Sequence, residues 1–103
     1  MGMRRETVDV VALGEALVDM ISTERGVGLE ESTGFVKAFG GAVANVAVGC
    51  ARLGARTAFI GKVGDDPFGR FLRDRLEGAG AITDGMVFSA AYDTSLVFVT
   101  LDE

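Results

Sequence analysis

Histidine is absent from the 103 residues, and cysteine occurs once. Without histidine there is no imidazole general base, no Ser-His dyad and no His-ligated metal. The single thiol, Cys50, excludes an internal disulfide and a multi-thiolate zinc site, and it fits a reducing compartment. Basic side chains are outnumbered, 10 against 15 acidic, for a net charge of −5. That balance argues against a face that binds a nucleic-acid backbone. No apolar run is long enough to span a bilayer, because Glu15, Asp19, Asn45 and Arg52 interrupt the longest ones. Asp9 and Glu15 likewise break the N-terminal apolar stretch where a signal peptide is uncharged, and no Ser/Arg-rich organelle leader is present. The expectation is a cytoplasmic protein with neither nucleic acid nor membrane as partner.

What is present suits one globular unit. Hydrophobic residues make up 49% of the chain, and composition is uniform, with no linker or internal repeat. Glycines punctuate short apolar segments. Val8–Leu13 reads as a buried strand, Leu17–Ile21 as a short strand leaving the main sheet, Ser22–Thr33 as a polar loop, and Phe35–Phe39 as a strand. Ala42–Leu53 is small and apolar on nearly every side, which predicts a helix buried between two layers and closed by Gly54. Thr57–Val63 is a strand. Asp66 then caps, and Pro67 opens, a helix with the apolar stripe Phe68, Phe71, Leu72 and Leu76, ending at Gly78 and Gly80. Met86–Phe88 and Ser95–Leu101 are further strands. Strand–helix–strand–helix order implies parallel pairing and an α/β class. Two crossovers make a small sheet, and the chain stops two residues after a strand. The expectation is therefore an N-terminal portion of a larger α/β protein.

Familiar nucleotide motifs fail. Gly61-Lys62 is followed by Val63, and Arg56 stands where a phosphate loop has its first glycine. Gly26-Val27-Gly28 lies in a polar loop and does not join a strand to a helix. Two features point to polar ligand chemistry instead. Gly40-Gly41 precedes a helix whose first turn carries Asn45. Glycines admit a ligand to backbone N–H groups, and an amide offers both the donor and the acceptor that a sugar hydroxyl needs. The alternative is a helix start whose Asn45 caps a neighbouring strand. Asp19 lies among Leu17, Val18, Met20 and Ile21, just past the C-terminal end of the first strand, where open α/β sheets bind ligands. Its carboxylate can accept two hydroxyl bonds; the alternative is an outward residue on a half-exposed strand. Asp65-Asp66 fits capping better than paired catalysis, Cys50 fits a small core residue, and Lys37 fits a solvated strand position.

Gly40-Gly41-Ala42-Val43-Ala44-Asn45-Val46-Ala47, Ala51-Arg52-Leu53-Gly54 and Gly61-Lys62-Val63-Gly64-Asp65-Asp66-Pro67-Phe68-Gly69 together resemble the N-terminal signature of the ribokinase/PfkB sugar kinases. Gly14-Glu15-Ala16-Leu17-Val18-Asp19, Phe35-Val36-Lys37-Ala38 and Thr94–Leu101 resemble the fructokinase branch, and the likeness runs from about Val8 onward. It implies a ribokinase-like three-layer α/β/α fold with a small β-lid, to which Leu17–Ser22, Phe35–Phe39 and Leu96–Leu101 contribute. It implies that Asp19, Gly40, Gly41 and Asn45 bind the sugar, with Phe98 covering it. Leu17, where ribokinase itself has asparagine, favours fructose.

The complete enzyme would make fructose 6-phosphate from ATP, with Mg2+. The family's catalytic aspartate sits in a Gly-Ala-Gly-Asp motif that residues 1–103 lack. The resemblance thus implies one incomplete kinase domain, with no catalytic residue, no strong ATP site and no activity alone. A homodimer through lid strands belongs to the same implication. The rival expectations are a truncated, non-catalytic interaction module that pairs through those strands, and a PfkB kinase for another sugar or nucleoside.

Overall fold

The computed structural model describes residues 7–102. Its elements run β1 (Val10–Leu13), β2 (Leu17–Arg25), β3 (Phe35–Gly40), α1 (Ala42–Arg52), β4 (Thr57–Gly64), α2 (Pro67–Gly78), β5 (Met86–Ser89) and β6 (Leu96–Leu101). They form two sheets. β1, β4 and β5 pair in parallel in that spatial order, and β3, β2 and β6 form the second sheet, with β2 antiparallel to β3 and parallel to β6. The α/β class and the excursion from the main sheet are as the sequence implies.

Alternation along the first sheet decides where the core sits. Ala12, Phe59, Val63 and Met86 are buried, and they pack with Ala44 and Ala47 of α1 and Leu72 and Leu76 of α2. Each fully buried Leu or Phe contributes about 1.5–3 kcal/mol of transfer free energy. The opposite face of the same strands carries Val11 at 58% exposure, Leu13 at 71% and Val87 at 53%, with Ile60 also exposed. β1 is therefore covered on one face only, in contrast to the fully buried strand expected.

It is also shorter, starting at Val10, whose N–H shares the Arg56 O acceptor with the N–H of Asp9. The all-round burial expected of α1 fails for the same reason. Only Ala44 and Ala47 are buried, while Val46 is 56% exposed, because a single sheet face covers this helix. Among the described residues, no helix is long and apolar enough to cross a membrane.

β2 extends to Arg25, past the loop boundary expected at Ser22. Its polar end is satisfied locally. The buried Ser22 hydroxyl meets Ser32 and Glu24 O, and Thr23 N–H donates to Gly34 O. The register Leu17↔Gly40 and Val18↔Leu96 places the start of β2, the end of β3 and the start of β6 together. All three connections from the small sheet to the main one thus leave from the same end.

Candidate functional site

Asp19 lies near the start of β2, opposite Ala38 of β3 and Val97 of β6. Paired residues share a sheet face, so Asp19 sits with Ala38, Val97 and, two residues away, Leu17 and Gly40. A β-carbon on Gly40 would lie 2.7 Å from Asp19 Oδ2 and 2.8 Å from Leu17 Cδ1. Only a residue without a side chain leaves that carboxylate uncovered.

Gly41 follows as the N-cap of α1 with φ 103°, and a β-carbon there would meet Glu15 O at 2.6 Å. The β1–β2 connection therefore rests directly on the helix start. No side chain caps α1, so its first N–H groups are free for a ligand or water. The structure brings Asp19, Gly40 and Gly41 together.

Asn45 is tied to this group through its N–H bond to Gly41 O at 2.9 Å. It also lines a cleft of about 170 Å3 with Phe39, Val48, Arg52 and Arg75, a set that does not include Asp19. Phe98 pairs with Met20 and therefore points to the face opposite Asp19, where its ring stands edge-on to Phe35 at 5.3 Å. The expectation that Phe98 covers a sugar is corrected by one step of strand alternation: Val97 is the residue beside the carboxylate.

Asp66 caps α2 as its position before Pro67 suggests, accepting Gly69 N–H at 2.7 Å. It does a second job that spacing does not reveal. Its carboxylate accepts the Thr94 N–H at 2.9 Å and the Thr94 hydroxyl at 2.7 Å, while Thr94 Oγ1 accepts Gly64 N–H at 2.9 Å. The β5–β6 connection is thereby fastened to the start of α2. Partial burial pushes the Asp66 carboxyl up, but hydrogen bonds from Thr94, Gly69 and Phe68 outweigh it and hold the group below the usual aspartate range. Asp65 is exposed and pairs with Arg70 at 3.2 Å. This is capping and fastening, without the geometry of paired acid–base carboxylates. Lys37 rests its Nζ 4.6 Å over the Phe71 ring. Cys50 is a half-buried free thiol in α1.

Comparison with known proteins agrees with this arrangement. The chain is 53% identical over 92 residues to fructokinase-1 of Oryza sativa subsp. japonica, covering 89% of this chain and 28% of the rice protein. It superposes on the fructokinase of Halothermothrix orenii with a TM-score of 0.84 at 46% identity, covering 90% of this chain and 34% of that one. The fructokinase of Vibrio cholerae O395, solved in a form with fructose, ADP and calcium ion bound, matches with a TM-score of 0.75 at 40% identity, over 87% of this chain and 27% of that one. The chain thus spans under a third of the length of the rice relative. The model of the pfkB family carbohydrate kinases matches residues 8–103. With its two sheets, glycine pair and Asp19 in the positions described, the chain belongs to the pfkB carbohydrate kinase family.

Proposed function

We propose that this chain is the sugar-recognising, N-terminal part of a fructokinase-like kinase domain, which in its complete form transfers phosphate from ATP to fructose in the cytoplasm. The observation that carries the reading is the Asp19 carboxylate left open by Gly40. A carboxylate accepts two hydroxyl bonds, and a site built around hydroxyls rejects analogues lacking them. Gly41 presents the uncapped start of α1 to the same ligand, and Asn45 adds an amide with no partner among the described residues. Leu17, beside Gly40, gives the pocket an apolar wall.

Among the described residues, no group of three or more acidic, cysteine or histidine residues is placed to hold a metal ion. ATP and Mg2+ belong to this reading of the complete enzyme, and no phosphoryl-transfer step is assigned to the residues described. Their work is to bind and orient the acceptor. A homodimer formed through the small sheet belongs to the same reading, because β3 and β6 are edge strands and carry the exposed Val36, Val97 and Phe98.

Titration of the isotope-labelled chain with fructose, read by amide shifts, tests the reading. Shifts are expected at Asp19, Gly40, Gly41 and Asn45, and Asp19→Asn removes them. Shifts that survive the substitution refute the role of Asp19. The chain alone is expected to transfer no phosphate from ATP to fructose, and turnover at an ordinary kinase rate refutes that part.

A further inference from the structure

We infer that the cleft between α1 and α2, which reaches Asn45 but not Asp19, is a binding site for a small phosphorylated organic molecule. In a chain of net charge −5, the cations here are arranged unusually. Arg52 comes from the last turn of α1 and Arg75 from the last turn of α2, and both line the same cleft. Among the described residues, neither has an ion pair, and Arg52 makes no hydrogen bond. Neighbouring cations are already committed, Arg70 to Asp65 at 3.2 Å and Arg73 to Asp74 at 3.4 Å. Arg75 is held in place, with its guanidinium 5.0 Å from the Phe71 ring centroid. Lys37 stands 4.6 Å from the centroid of the same ring.

The cleft thus brings together two arginines, with no carboxylate in its lining. Guanidinium forks match a phosphate or carboxylate in bidentate fashion and are weakly hydrated, so desolvating them costs less than desolvating ammonium groups. The remaining walls are the apolar Phe39 and Val48, together with Asn45. They suit a short carbon skeleton attached to the anion better than a bare ion. A cleft of about 170 Å3 has room for a phosphate with a few carbons. The helix C-termini give each arginine a favourable dipole, but that accounts for each singly and not for their convergence on one cleft.

The experiment is amide-shift titration of the chain at constant ionic strength with glycerol 3-phosphate, inorganic phosphate, glycerol and chloride. Glycerol 3-phosphate is expected to shift Val48, Arg52 and Arg75 saturably and to bind more tightly than inorganic phosphate, with glycerol and chloride inert. The single variants Arg52→Gln and Arg75→Gln each change an exposed residue and are expected to weaken binding by about tenfold, while Lys62→Gln leaves it unchanged. Thermal shifts of the unsubstituted chain give a second readout: glycerol 3-phosphate raises the Tm above that in matched chloride. Equal response to chloride, shifts spread over all cationic residues, or affinity unchanged in both arginine variants overturns the proposal.

Discussion

Thr94→Val isolates the fastening between the β5–β6 connection and α2 with almost no change in shape. Thr94 is 6% exposed. Its hydroxyl donates to Asp66 Oδ1 at 2.7 Å and accepts Gly64 N–H at 2.9 Å. Losing a bond to a carboxylate costs about 1.5–3 kcal/mol, and leaving a buried N–H unpaired costs about 1–3 kcal/mol. The two overlap, and about 3 kcal/mol is expected. A domain of this size has about 5–15 kcal/mol in all. Urea unfolding followed by circular dichroism should therefore show a midpoint lower by about 1–3 M for urea m-values of about 1–3 kcal/mol/M.

Comparison with Asp66→Ala adds a pH signature. The folded-state pKa of Asp66 lies below the unfolded value of about 3.9. Its contribution is therefore fully present above that value and lost as pH falls through the folded one. The stability gap between the unsubstituted chain and Asp66→Ala should be constant near neutrality and narrow below about pH 4. A Thr94→Val cost under about 0.5 kcal/mol, within the range of ordinary surface changes, refutes the account. So does an Asp66→Ala gap that stays flat down to pH 2.

Gly41→Ala combines a positive φ with a β-carbon placed 2.6 Å from Glu15 O. An unstrained Gly→Ala change stabilises by about 0.4–1 kcal/mol, whereas this one should lower the Tm and cost more than about 1 kcal/mol. Phe59→Ala empties the centre of the core, where the ring is fully buried, and should cost about 3–5 kcal/mol by urea unfolding. On the open sheet face, the double change Leu13→Ser and Val87→Ser removes exposed apolar surface. It should reduce binding of a hydrophobic dye while shifting the unfolding midpoint little, since scattered surface changes stay within about 0.5 kcal/mol.

Local signals in the sequence carried far. The Asp66-Pro67 start of α2, its stripe of Phe68, Phe71, Leu72 and Leu76, and the glycine pair ahead of α1 all act within a few residues, and spacing expresses them directly. Asp19 stood out because a charge inside an apolar strand must be explained. What stayed hidden depends on partners distant in the chain. Ser22–Arg25 looks like loop until Ser32 and Gly34 fold back to satisfy it. The bond from Asp66 to Thr94 spans 28 residues, and no pattern in either segment announces the other. The side of β6 that faces Asp19 is a matter of register, which an apolar run such as Leu96–Leu101 leaves undetermined. The outer faces of β1 and α1 were overestimated as buried because hydrophobic composition reveals an appetite for cover, and packing reveals whether cover is met.

The small sheet joins the main one through the connections after Leu13, after Gly40 and before Leu96, all at one short side, where Lys37 of β3 also rests over Phe71 of α2. Attachments gathered at one end leave a swing about that end as the softest motion. β2 is nine residues long, a lever arm of about 30 Å at the usual strand rise. A tilt of about 10° too small to break any bond at the pivot carries the far tip about 5 Å. Asp19, near the pivot, barely moves, so the acid stays on station while the panel above it travels.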